Sequence, residues 1–180
     1  MAESDGICGV IPPINDRDHI QGSLNAAIVL MKYGDYQCPQ SGQTHSSIKA
    51  IQQRLGEKLC FIFRHFPQPD IHPQSQRAAE SAEAANAQGK FWEMHDLMFE
   101  NQQNLSDADL VGYANQLGLD IPQFLRELTE HLHHDRVQAD IESGRINYVK
   151  QTPVCFIGIR QEGCQSLETL LTTILTFNSA

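Results

Sequence analysis

No C-x-x-C pair occurs in this chain, although it carries five cysteines, at positions 8, 38, 60, 155 and 164. An odd number at wide spacing argues against a dense disulfide framework, and the lack of paired thiolates argues against a zinc ribbon. Long apolar runs are missing too, since no window approaches the roughly 18 consecutive apolar residues of a membrane span. Basic residues are scarce, with 13 Lys and Arg against 22 Asp and Glu and a formal net charge of -9. An acidic chain is poorly matched to a phosphate backbone or an anionic lipid surface, so neither nucleic acid nor membrane is the expected partner. The opening stretch MAESDGICGVIPPINDRD has neither the basic nor the apolar region of a secretory signal. A cytoplasmic location is the expectation that follows.

What is present suits a packed core. Hydrophobic residues make up 41% of 180 positions, enough for one domain or one domain carrying an insertion. Residues 1–22 are polar, broken by Pro12-Pro13 and Gly22, and read as an arm with a short strand near His19-Ile20. The apolar, β-prone run at 26–33 predicts a strand. A helix is expected from Cys38, with Pro39 in its first turn, where a missing N–H does no harm. Ile48, Ile51 and Leu55 recur there at helical spacing, and Gly56 stops it. The continuous run at 58–63 predicts a second strand, covered on both faces. Three prolines between His65 and Pro73 predict a loop. Helices are then expected at 74–88, at 90–101, from a capping box at Ser106 and Asp109 to Leu117, from Pro122 through Leu128, and at 134–148. Residues 154–159 predict a further strand, followed by a turn at Gly163, a very short strand and a terminal helix capped by Ser166. Order and period together give an α/β fold with a helical insertion.

The chemistry concentrates at Cys38-Pro39-Gln40-Ser41, which reads as a C-P-x-C redox motif with serine in the second cysteine's place. Thiolate is the attacking species in disulfide exchange, and a helix N-terminus favours negative charge. Cys38 falls where such a helix starts, and the Ser41 hydroxyl, one turn on, can donate a hydrogen bond to the sulfur. It cannot attack a disulfide. Far downstream, Thr152-Pro153 precedes an apolar strand, the place for a cis-proline turn that leaves the neighbouring backbone open to a client peptide.

Further residues carry the likeness. Tyr33-Gly34-Asp35-Tyr36-Gln37-Cys38-Pro39 resembles the start of the active site in the DsbA family of thioredoxin-like thiol–disulfide oxidoreductases. Phe63-Arg64-His65-Phe66-Pro67 resembles the end of that family's second core strand. The run Ala78 to Leu97, with Gln88-Gly89-Lys90-Phe91-Trp92, is similar to the inserted helical region of the cytoplasmic, FrnE-like branch. Gln151-Thr152-Pro153 resembles its cis-proline loop. The resemblance implies a thioredoxin-like fold at 23–69 and 149–180, an inserted helical domain at 70–148, and an arm at 1–22. It implies an enzyme of thiol–disulfide exchange, oxidoreductase or isomerase-like, with Cys38, Pro39, Gln40 and Ser41 at its catalytic turn and Thr152 and Pro153 facing the client. Two positions depart from the family pattern. Ser41 limits the chain to monothiol exchange; were it the replacement of a cysteine, the parent would be a dithiol oxidoreductase or isomerase. Lys32 stands where many members carry a buried, proton-handling carboxylate six residues before the nucleophile. It either favours thiolate or snorkels outward.

The resemblance implies no resident cofactor and no metal. The expected partners are protein thiols and disulfides, or glutathione as co-substrate. Cys60 and Cys155 read as core residues, with Cys155 a remote candidate for a distant resolving thiol. His131-Leu132-His133-His134 offers close ligands but no completing motif, so a solvated helix end is expected. His45 reads as a surface histidine, and Phe91, Trp92, Met94, Leu97 and Met98 as packing. Two other functions remain open. One is a thioredoxin-like module that binds client peptides without catalysis. The other, ranked lower, is a glutathione-transferase-like activity.

Overall fold

A computed structural model describes residues 7–8 and 11–160 of the chain. The turn expected at Gly163, the strand after it and the helix from Ser166 lie outside the described residues.

Among the described residues, five strands form one mixed sheet. They are β1 (Ile7–Cys8), β2 (His19–Gln21), β3 (Ile28–Gly34), β4 (Leu59–His65) and β5 (Val154–Arg160), in the order β1-β5-β3-β4-β2. Every residue of β3 and β4 is buried, which is why both read as continuous apolar runs and not as alternating ones. The neighbours β3 and β4 are joined through helix α1 (Pro39–Leu55) and a short 3-10 turn at Gly56–Lys58, a β-α-β unit. The edges are short and antiparallel: β2 sets His19 opposite Phe63, and β1 sets Ile7 opposite Arg160. Sequence reading did not anticipate β1, because two residues carry no period.

Five helices follow one another between β4 and β5: α2 (Ser75–Asn86), α3 (Phe91–Glu100), α4 (Asp107–Gln116), α5 (Ile121–Thr129) and α6 (His134–Ile146). The Ser106–Asp109 capping box opens α4 as expected. The Asp120 side chain accepts from the Gln123 N–H to open α5. Helix α2 packs against α3, α4, α5 and α6. It can do so because Ala78, Ala79, Ala82, Ala84 and Ala85 are all buried, and small side chains admit neighbours on several sides.

The chain divides into two compact units. One takes in the described residues of Met1–Lys32, Ile51–Phe63 and Cys155–Ala180. Its core holds Val29, Met31, Cys60, Ile62 and Ile159. Lys32 is fully buried there, its ammonium 6.0 Å from the centroid of the Phe63 ring, so the outward-snorkelling alternative is corrected. Cys155, expected in the core, is exposed. Partial burial of its sulfur still pushes that thiol's pKa up, with Lys32 pulling the other way. Ile51, placed by its spacing on the inner face of α1, is 41% exposed. The second unit comprises Tyr33–Ala50 and Arg64–Val154. Its core is built from Tyr33, Tyr36, Met94, Met98, Leu110, Phe124 and Val137.

Candidate functional site

The strand β3 ends at Gly34, and a short turn delivers the chain to α1. The Cys38 N–H donates to the Asp35 carbonyl (3.2 Å), and the Cys38 carbonyl accepts the first helical bond, from the Gly42 N–H (3.2 Å). Cys38 therefore occupies the N-cap position and Pro39 the first helical one, where proline is pre-shaped for the helix. The thiol is free and buried, 2% exposed. Its sulfur lies 3.4 Å from the side-chain oxygen of Gln40 and 3.4 Å from the carbonyl of Thr152. A single S–H serves only one of these acceptors at a time. The Thr152–Pro153 peptide bond is cis. The structure thus gathers Cys38, Gln40 and Thr152 around one sulfur, with Pro153 next in the chain. Pro39 and Gln40 are exposed, whereas Ser41 is fully buried and its hydroxyl accepts from the Asp35 N–H at 3.4 Å.

A second set of residues holds this turn, and sequence reading missed it. The Asp35 carboxylate is buried and accepts from the Gln37 N–H (2.8 Å) and the Gln68 N–H (3.0 Å), and it meets His72 Nδ1 at 2.8 Å. Gln68 uses its side-chain oxygen to accept from both the N–H and the hydroxyl of Thr152, each at 3.3 Å. Gln37 and Gln74 bond reciprocally. From beyond α3, the Gln102 amide donates to the carbonyls of Tyr36 (2.7 Å) and Cys38 (2.8 Å). A Cβ added at Gly42 would lie 2.0 Å from the Gln102 side-chain oxygen, so glycine is what lets that amide sit there.

Beneath the turn is a nest of rings. Tyr36 packs on Phe99, and its hydroxyl meets His95 Nδ1 at 3.0 Å. Burial, and then the carboxylates of Glu83, Asp96 and Asp140, hold the Tyr36 phenol well above its ordinary pKa, so it stays neutral. His45, read as a surface residue, is buried and stacked on Phe99 with its Nε2 3.6 Å from Asp96. Its position one turn past Ser41 on α1 puts it on the inward face. His45, His95 and Asp96 bring three ligand-type atoms within 4.8 Å of one another. The Lys49 ammonium already rests on Asp96 and supplies the countercharge. The histidines at the start of α6 are not simply solvated. His131 and His134 converge on the buried Glu80, and His133 lies against Glu127.

Comparison with known proteins agrees with the fold. The thioredoxin family model matches residues 15–175. Among solved structures, oxidised BdbD from Bacillus subtilis superposes with a TM-score of 0.75, covering 98% of this chain and all (100%) of that one at 18% identity. The α-DsbA1 protein from Wolbachia pipientis gives 0.72 over 92% of each chain at 20% identity. At such identities the likeness is one of fold. In sequence, the chain is 37% identical to the Na(+)/H(+) antiporter NhaA 1 of Salinispora arenicola, over 94% of this chain and 26% of that protein. It is 39% identical to the Na(+)/H(+) antiporter NhaA 1 of a Mycobacterium species (strain KMS), over 89% of this chain and 27% of that protein. The chain spans about a quarter of the length of these curated relatives. Among the described residues no helix is long and apolar enough to cross a membrane.

Proposed function

Because the chain belongs to the thioredoxin family, we propose that it performs thiol–disulfide exchange with Cys38 as its only catalytic sulfur. The observation that carries this is a free cysteine at a helix N-cap whose sulfur faces the carbonyl just before a cis proline. In the first step the Cys38 thiolate attacks one sulfur of a disulfide. A bond forms between that sulfur and Cys38, the original S–S bond breaks, and the departing thiolate takes up a proton. Ser41 offers no second sulfur, so the mixed disulfide waits for an outside thiol. That thiol attacks the partner's sulfur and returns the electron pair to Cys38. The net reaction swaps one thiol for another across a disulfide and leaves the protein unchanged. Glutathione or a protein cysteine serves as the outside thiol. The antiporter name describes whole relatives, and this reading concerns the quarter that matches.

One observation favours a second reading, a client-binding module without catalysis: Cys38 is almost fully covered. Gln40 is an exposed side chain that lies against the sulfur, 3.4 Å away, so its truncation tests whether that cover limits access. Incubation with glutathione disulfide, followed by intact and peptide mass spectrometry, separates the two. A mixed disulfide at Cys38 that forms faster in Gln40→Ala supports exchange. A Cys38 that stays unmodified in both proteins supports the binding module.

A further inference from the structure

Two turns meet at the Cys38 sulfur, and they come from distant parts of the chain. One is the nucleophile turn, Asp35 to Cys38. The other carries Thr152 and Pro153. A disulfide exchange needs the attacking sulfur and the surface that holds the client in fixed relation, because small misplacements are costly in rate. Their hydrogen bonds form a closed ring. Starting at the sulfur, Cys38 is preceded by Gln37, whose N–H donates to the Asp35 carboxylate. The same carboxylate accepts from the Gln68 N–H. The Gln68 side-chain oxygen accepts from the Thr152 N–H and hydroxyl. The Thr152 carbonyl lies 3.4 Å from the sulfur and closes the ring.

We propose that Asp35 and Gln68 are positioning residues which hold the nucleophile turn and the cis-proline turn in register for exchange, a role that rests on the reading of Cys38 as the reacting sulfur. Neither touches the sulfur, and each acts through a backbone N–H. Asp35 is buried, which is tolerable because its carboxylate meets three partners: two backbone amides and His72. Gln68 is only part-buried, and its amide nitrogen donates to the Lys150 carbonyl on the chain leading to Thr152. Both ends of the Gln68 amide are therefore spent on the segment that carries the cis proline. A glutamine that merely covered the surface would not need either bond. His72 faces Asp35 from the loop before α2 and completes its partners.

The test uses Gln68, because a part-buried side chain can be removed with little risk to the fold. Wild type, Gln68→Ala and Gln68→Glu are compared by three readouts. These are the rate of exchange with a peptide disulfide, the alkylation rate of Cys38 by iodoacetamide, and the hydrogen-exchange protection of the Thr152 amide. The alanine variant is expected to exchange about tenfold more slowly, the scale of one lost positioning contact, with alkylation unchanged and the Thr152 amide deprotected. Gln68→Glu keeps an acceptor oxygen and is expected to restore the protection and part of the rate. A peptide rate that holds in Gln68→Ala, or that falls only in step with alkylation and melting temperature, overturns the positioning role. If wild type itself fails to exchange at Cys38, the catalytic reading falls separately, and Thr152 protection alone decides the ring: retained protection in Gln68→Ala removes it.

Discussion

Two polar networks share the unit that carries Cys38, and they are built from opposite materials. Around Asp35 there is one carboxylate, His72, and otherwise backbone N–H groups, neutral amides and the Thr152 hydroxyl. Its outer members, Gln37, Gln68 and His72, are part-buried. Around Glu83 and Asp140 the network is ionic and mostly buried, with Arg136 part-exposed. Arg136 lies against both carboxylates, His65 Nε2 meets Glu83 at 3.0 Å, and the His65 N–H donates to Asp140 at 2.9 Å. Buried charges are costly when a partner is lost, whereas neutral amides near the surface are cheap to rearrange. The difference teaches a division of labour. Loss of a partner in the ionic network is expected to cost stability, and loss of a member of the amide network is expected to change where the sulfur points.

The sharpest way to break that division is at the sulfur itself. Cys38→Ala is expected to abolish mixed-disulfide formation entirely while the protein still melts cooperatively, as intact mass and a thermal scan would show. Next in size is the ionic network. Arg136→Ala leaves Glu83 and Asp140 without that cation, and stability should fall by about 3–5 kcal/mol. The Cys38 modification rate of the molecules that remain folded should not change; a matching loss of rate would merge the two networks. Ser41→Cys asks whether the amide-held turn is good enough for dithiol chemistry. It should form a 38–41 disulfide on mild oxidation, detectable by loss of two free thiols, and a failure to close would put the α1 start in the wrong place.

The smallest effect is expected between the networks, at Tyr36. Tyr36→Phe removes the bond to His95 and should cost about 1 kcal/mol at neutral pH. Because the native phenol ionises later than a free one, the unfolded chain gives up its proton first once pH passes about 10. Stability of the wild type should therefore drop as pH rises through that value. The phenylalanine variant should lose part of that slope, measured as denaturant midpoints across alkaline pH. An unchanged slope would mean that Tyr36 is not the buried titrating group.

The parts of this architecture that were legible in the sequence are those that announce themselves locally. The strands β3 and β4 show as apolar runs, α4 as a capping box, and the candidate site as Cys38-Pro39 and Thr152-Pro153, which the structure brings together. Where a residue's place depends on what packs over it, reading failed. Cys155 sits in an apolar-looking strand yet is exposed, and His45 looks like a polar helix residue yet stacks on Phe99. Asp35 follows a strand pattern and gave no sign of gathering the distant Gln68 N–H beside the local one of Gln37. Gln68 and Gln102 had no signal at all, since an amide side chain fits a loop anywhere and only tertiary proximity assigns it a partner. The spacing of Gly42 likewise said nothing about the Gln102 amide that lies against it.

The most direct test of the central claim is to react the protein with glutathione disulfide, map the adduct, and then add reduced glutathione. One mixed disulfide is expected, on Cys38 and not on the exposed Cys155, that persists until the second thiol arrives and then disappears to regenerate the free thiol. An adduct confined to Cys155, or a Cys38 adduct that resolves without any added thiol, would contradict it.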